Sequence, residues 1–317
     1  MSKSMKKVLL LAAIEAAPGT DAAPTAQLNA ILVRAHTPNP ITADAVQRQL
    51  IRPTKGNSGS ITAGEHRVFE FEVELAGSGT PGLAPAYGPL LLGCGFAETV
   101  TSVDPGTPGS GDVEYTLVSE GEPTLTLYSY LDGTLFKMTG AKGTVSFEFN
   151  AKQIPVMKFR YIGAYVPPTE VTMPTGVDYT AFKQPRTVGK TNTPTFTMHG
   201  LTACTSAFSV DLANAVAYRE LINCAGAVSP DRTPSGNVTM EFPKVTVKDW
   251  TEAVRLSTTG AAAIVHGTDP GNIVELQMPA VQPKPFTLQD DQGVAMMSLP
   301  FDLLPIAGDD ELRVVVR

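Results

Sequence analysis

Along residues 124–166, TLTLYSYLDGTLFKMTGAKGTVSFEFNAKQIPVMKFRYIGAYV, apolar side chains recur close to every second position. Leu125, Leu127, Thr134, Phe136, Val145, Phe147, Phe149, Val156, Phe159 and Tyr161 then share one face of a sheet, and the residues between them take the other. Asp132-Gly133 signals a hairpin and Gly140 to Gly143 a second turn, so the stretch is predicted as a three-stranded meander. A meander of the same shape is predicted at 272–304, with strands at 273–278, 286–289 and 294–303 and a turn at Asp291-Gln292-Gly293. The cleanest alternation lies at 66–75, where Phe69, Phe71, Val73 and Leu75 interleave with Val68, Glu70, Glu72 and Glu74. One face of that strand is aromatic and aliphatic; the other is carboxylate and meets water or a partner.

The remaining pattern repeats in two halves. Strands are predicted at 29–36, 45–51 and 113–118 in the first half, and at 196–198, 207–212, 216–222, 237–242 and 262–266 in the second. Helices are predicted at 84–96, where Tyr87, Leu90, Leu91 and Cys94 form an apolar stripe, and at 247–257, with Trp250, Ala253 and Val254 on the apolar side. AVQRQLI at 45–51 is echoed by VAYRELI at 216–222, and Arg48, Leu50 and Ile51 match Arg219, Leu221 and Ile222 at one constant offset. The shared order of strand, RxLI strand, long loop, strand, helix and meander points to duplication of one β unit. The chain therefore divides into an arm at 1–27, a first domain at 28–166, a linker at 167–194 and a second domain at 195–317.

Composition agrees with a mainly β class. The 28 glycines and 26 prolines suit a chain of many turns. A net charge of −7 argues against a basic nucleic-acid-binding surface, while leaving room for an acidic wall that DNA slides past. Cys94, Cys204 and Cys224 are odd in number, show no metal-ligand spacing and read as small buried hydrophobes. Lys3, Lys6 and Lys7 precede an apolar run at 8–14 that Glu15 ends, too short for a firm secretory leader. The small, turn-forming residues that follow read as an arm held against a neighbouring subunit. No stretch approaches the roughly 20 apolar residues of a membrane span.

Candidate chemistry is sparse. GSGTPG at 77–82 and GTPGSG at 106–111 lack the Lys-Ser/Thr of a phosphate loop and read as ordinary loops. His36, His66, His199 and His266 have no partner at ligand spacing. Glu70, Glu72 and Glu74, roughly 7 Å apart along a strand, are too splayed to hold one ion by themselves. The expectation is no enzyme, no cofactor and no metal; the acidic strand face is a solvent, lumen or subunit surface.

The stretches at 50–99 and 115–165, with FSVDLANAVAYREL and SPDRTPSGNVTMEF in the second half, resemble the major tail tube proteins of long, non-contractile-tailed phages and related prophages. The resemblance implies two tandem β-sandwich domains, each with a flanking helix, giving strands to a barrel shared between subunits. It implies stacked rings in the virion tail, trimeric and pseudo-sixfold because each chain carries two domains, made in the host bacterial cytoplasm and conducting double-stranded DNA. The partners it implies are further copies of the chain, the tail terminator and tip proteins, and the tape measure protein during assembly. A loop reaching the next ring is expected at 53–66 and at 224–236, with Lys55, Gly56, Asn57, Ser58, Ser60, Ser229, Asp231 and Arg232 as docking candidates. The alternative is a two-domain β-sandwich that binds a ligand or decorates a virion.

Overall fold

Most of the alternating stretches are strands in the computed structural model, which describes residues 2–104, 107 and 110–317. Of the predicted loop at 102–112 and its GTPGSG segment, Pro105, Gly106, Pro108 and Gly109 lie outside the described residues, as does Met1 of the N-terminal stretch. The first half holds β1 (Val8–Ile14), β2 (Ala30–Ile31), β3 (Ala35–Pro38), β4 (Thr42–Gln47), β5 (Ser60–Glu74), the helix α1 (Gly88–Leu92), β6 (Phe96–Thr101), β7 (Asp112–Leu117), β8 (Leu125–Leu131), β9 (Thr134–Asn150) and β10 (Val156–Glu170). The second holds β11 (Thr195–Met198), β12 (Thr205–Asp211), β13 (Ala217–Leu221), β14 (Cys224–Val228), β15 (Ser235–Glu241), the helix α2 (Trp250–Arg255), β16 (Gly260–His266), β17 (Val274–Pro283), β18 (Thr287–Asp291), β19 (Val294–Leu303) and β20 (Arg313–Val316).

Two layers result. The front sheet runs β3–β5–β10–β9–β12–β15–β19–β18, antiparallel at every step. The back layer contains β2–β1–β8 and the run β6–β7–β20–β17–β16–β11. Both layers cross between the halves, at β9–β12 in front and β7–β20 behind. Phe69, Phe147, Phe159, Phe208 and Phe301 from the front and Leu127, Tyr115, Leu276 and Val314 from the back belong to one contiguous buried cluster. The halves therefore share a core rather than hanging on the segment between them. That segment packs as well: Val171, Met173 and Tyr179 cover a satellite cluster of Leu9, Leu11, Tyr128 and Tyr130.

Several local expectations are corrected. Gly140 to Gly143 is not a turn but a bulged stretch inside β9, and the β9–β10 turn lies at 151–155. Gly140 adopts φ +59°, and its N–H donates to Glu15 at 2.8 Å. A side chain on Gly143 would meet the Tyr161 ring at 2.7 Å. Both glycines are thus spent on a bulge and a close approach, which a turn-residue count reads as a hairpin. The apolar run at 8–14 is a strand in the interior of the first half, paired along its whole length with β8 of the same chain. The N-terminal stretch is therefore held by its own chain. Glu15, 7 % exposed, accepts from Thr124 and Thr126 at 2.7 Å each and fixes the exit of β1. The predicted helices shrink to one or two turns, because Gly88, Pro89, Gly93 and Gly95 surround the first and Asp249 caps the second only at Trp250. The stripe of Tyr87, Leu90, Leu91 and Cys94 is nonetheless fully buried. In the second meander β18 pairs with β19, and the end of β17 also pairs with the end of β19, at 281–283 and 301–303, while the rest of β17 pairs with β16 and β20. Cys94 is buried as expected; Cys204 and Cys224 are exposed.

Burial raises the phenols of Tyr87, Tyr115 and Tyr161 and pushes the Cys94 thiol up to about 12 from 9.0. An acid whose pKa is raised on folding stabilises the fold fully below its unfolded value and loses that contribution as pH climbs through the folded one. The urea midpoint is expected to hold from neutrality to about pH 9 and then to fall steadily towards pH 12, a decline that circular dichroism at fixed urea would follow.

Candidate functional site

The front sheet has one buried face and one open polar face, because residues alternate along each strand and the register keeps like positions in line across all eight. Glu70 and Glu72 lie opposite Arg160 and Lys158, which lie opposite Thr144 and Ser146. The row continues through Ser209 and Asp211, Asn237 and Ser235, and Pro300 and Asp302, to Thr287, Gln289 and Asp291 at the edge. A groove of about 470 Å³ follows this face over β3, β5, β10, β9 and the end of β12.

The charges on this surface are uneven. Among the described residues its cations are paired: Arg160 with Glu70 at 3.3 Å, Lys158 with Glu148 at 2.6 Å, Lys284 with Asp302 at 2.6 Å and Arg34 with Glu72 at 3.9 Å. Glu74, Asp211, Glu241 and Asp291 have no ion-pair partner among the described residues. The face therefore carries a surplus of carboxylates. Glu70, Glu72 and Glu74 are indeed together on it, but with basic side chains interleaved on β10 that the alternation of one strand could not show. Lys158 and Arg160 would have been found by the same period-two reading applied to 156–161.

Two hairpins leave the body of the sheet. In the first, β4 pairs with the early part of β5, and the connection carries Leu50, Ile51, Lys55, Gly56 and Asn57 exposed; Ser58 is half-buried and Ser60 opens β5. Asn57 accepts from the N–H of Gly59 at 2.9 Å, which shapes the loop. In the second, β13 pairs with β14 around Ile222 and Asn223. The predicted second loop thus begins as a strand. Ile51 and Ile222, matched by the sequence offset, are 103 % and 93 % exposed at the two tips. The second hairpin lies back on the first half, with Tyr218 stacked on His66 at 5.3 Å between ring centres.

The other three loop candidates lie at the base of the second hairpin, not at its tip. Ser229, Asp231 and Arg232 line a cavity of about 250 Å³ between the halves, with Cys94, Asn214 and Glu311. Arg232 donates to both Asp309 and Glu311 and to the Val118 carbonyl. Burial opposes its charge, but those carboxylates more than offset that and raise its pKa. Asn214 donates to the carbonyls of Cys94 at 2.7 Å and Gly143 at 2.9 Å. Glu114 on β7 and Arg313 on β20 pair across the back junction.

His36 contacts Ser129 and the Glu70 carbonyl, His199 the Val281 carbonyl, and His266 Thr193 and the Arg186 carbonyl. Burial lowers the pKa of all three. Among the described residues no group of three His, Cys, Asp or Glu side chains could hold a metal ion, and no helix is long and apolar enough to cross a membrane.

A family described as phage tail tube protein matches residues 5–303, nearly the whole chain and both halves of the front sheet. The chain belongs to the phage tail tube protein family. It is accordingly a structural component of a bacteriophage virion tail, and the family is not one of enzymes. No curated protein matches it.

Proposed function

We propose that three chains form a ring whose six half-chains are quasi-equivalent, that rings stack into the tail tube of a long, non-contractile-tailed phage, and that genomic DNA passes through it. The observation that supports this is the β9–β12 ladder, which makes eight strands of one chain a single sheet with a continuous polar face. Three such sheets supply twenty-four strands to a shared barrel. At roughly 4.8 Å spacing and about 40° tilt the barrel is roughly 48 Å across, or about 35–40 Å clear of side chains, enough for a duplex about 20 Å wide.

The polar face then lines the bore. Its unpaired carboxylates repel phosphate, so DNA slides without sticking, in a wall that keeps its cations occupied. The hairpin tips, with Leu50-Ile51 and Leu221-Ile222, face the adjacent ring, where burying four exposed apolar side chains per chain favours stacking. Ring on ring is a head-to-tail contact that does not close, hence a filament. The tail terminator and tip proteins cap it, and the tape measure protein occupies it during assembly.

Cryo-electron microscopy of the purified protein or of particles containing it tests this directly. Hollow tubes of three-chain rings, with β3, β5, β10, β9, β12, β15, β19 and β18 of each chain around the bore, are expected. Six chains per ring would break the quasi-equivalence of the halves, and a lysine- and arginine-lined bore would overturn the repulsion argument.

A further inference from the structure

The chain contains one completed joint between its two four-strand units, and it leaves one half of that joint free at each end of the sheet. Counting along the front sheet gives β3–β5–β10–β9 and then β12–β15–β19–β18, the same four places filled twice. Their pairing registers correspond. Glu74 and Glu241 each end their strands, facing Val156 and Met296, which in turn face Glu148 and Gln289. Three residues further along, Phe71 faces Phe159 and His36, while Val238 faces Leu299 and Phe208. Gln289 thus stands where Glu148 stands, and His36 where Phe208 stands.

Inside the chain β9 meets β12 in a fixed register, with Phe147 opposite Val210, Glu148 opposite Ser209 and Phe149 opposite Phe208. The equivalent strands have no such partner. Among the described residues β18 pairs only with β19 and β3 only with β5, all five residues of β18 are exposed, and Leu288 is 57 % exposed although its strand neighbour Met297 is fully buried. A strand edge with an uncovered apolar side chain on its core side is a template for another strand.

We infer that β18 of one chain adds antiparallel to β3 of a second copy in the register of the internal joint, setting Leu288 opposite Pro38, Gln289 opposite Thr37 and Asp290 opposite His36. The faces agree: Leu288 and Pro38 fall on the core side, Gln289 and Thr37 on the polar side. Pro38, which has no N–H to give, stands where the shared ladder ends. The inference rests on the ring reading above and specifies its closing contact, with each chain using one edge of each kind.

Cysteine cross-linking tests the register. In the internal joint Leu212 donates to Val145 and Ala151 donates to Ser206, so Ser209 and Glu148 lie between hydrogen-bonded pairs. There, facing Cα atoms are about 4.5 Å apart, within disulfide reach. Thr37→Cys with Gln289→Cys, in a background of Cys204→Ser and Cys224→Ser, is expected to give disulfide-linked chains under mild oxidation, ending at three chains. The offset pair Thr37→Cys with Thr287→Cys should link at least tenfold more slowly. Both positions are exposed, so the folded chain tolerates the changes. Leu288→Lys should leave the melting temperature of the single chain unchanged while abolishing rings in micrographs. Tubes that form with the 37/289 pair unlinked would overturn the edge pairing and spare the tube; chains that remain monomeric throughout would overturn both.

Discussion

Replacing Arg67 with methionine is expected to destabilise the folded chain by about 3 kcal/mol, a large share of a domain's stability. Arg67 is 0 % exposed, has no ion-pair partner among the described residues, and donates only to backbone carbonyls there. Its guanidinium donates to the carbonyls of Pro40 at 2.9 Å, Lys137 at 2.6 Å and Val166 at 3.1 Å, and lies between the rings of Phe136 and Tyr165. One side chain thus ties the approach to β4 to β9 and β10, at the root of the first hairpin. Burial holds its pKa down, to about 10, so the charge is tolerated only because the fork of donors and the aromatic faces replace water. Methionine keeps the apolar stem and orphans three acceptors, at about 1–3 kcal/mol each before the relief of removing a buried charge. Lysine is expected to be no better, since its ammonium cannot span carbonyls on three segments. Trp250 is the chain's single tryptophan and lies in the second half. A urea transition followed by its fluorescence should shift together with circular dichroism, because the two halves share one core.

Arg232→Ala is expected to cost a similar amount, about 3 kcal/mol, by a different route. Its removal leaves Glu311, 7 % exposed, without its cation in the seam between the halves, and frees Asp309 and the Val118 carbonyl. The loss should be partly recovered in the double variant Arg232→Ala with Glu311→Gln, since no uncompensated charge then stays buried; a double-mutant cycle in urea measures that coupling. Because the seam carries the front ladder β9–β12, the single variant should also lower the yield of assembled tubes relative to folded chain.

How far the sequence reaches differs from element to element. The period-two runs at 66–75, 145–149, 237–242 and 294–303 were legible because each of these stretches buries one face only, so the alternation is written into the residues themselves. β1 was not, since Leu9, Leu10, Leu11 and Ala12 are buried on both faces and show no alternation, which makes such a run look like a leader or an arm. Asp132-Gly133 and Gln292-Gly293 specified their hairpins through the positive φ each turn requires. Gly140 and Gly143 misled, because the same permissive residue also serves bulges and close approaches, and only the neighbours Glu15 and Tyr161 distinguish the uses.

The acidic strand face and the matched Leu-Ile pairs could be read from the chain alone, since each depends on local alternation or on self-similarity. That Arg232 is a clasp rather than a loop tip, that Lys158 and Arg160 stand among the glutamates, and that β9 meets β12 were decided by tertiary structure. Strand pairing joins residues tens of positions apart, and its register is set by which faces must be buried together, a condition no single stretch contains. The sequence by itself determined a mainly β chain with strands that alternate between an apolar and a polar face; only the packed structure decided that its two halves share a sheet and which edges that sheet leaves open.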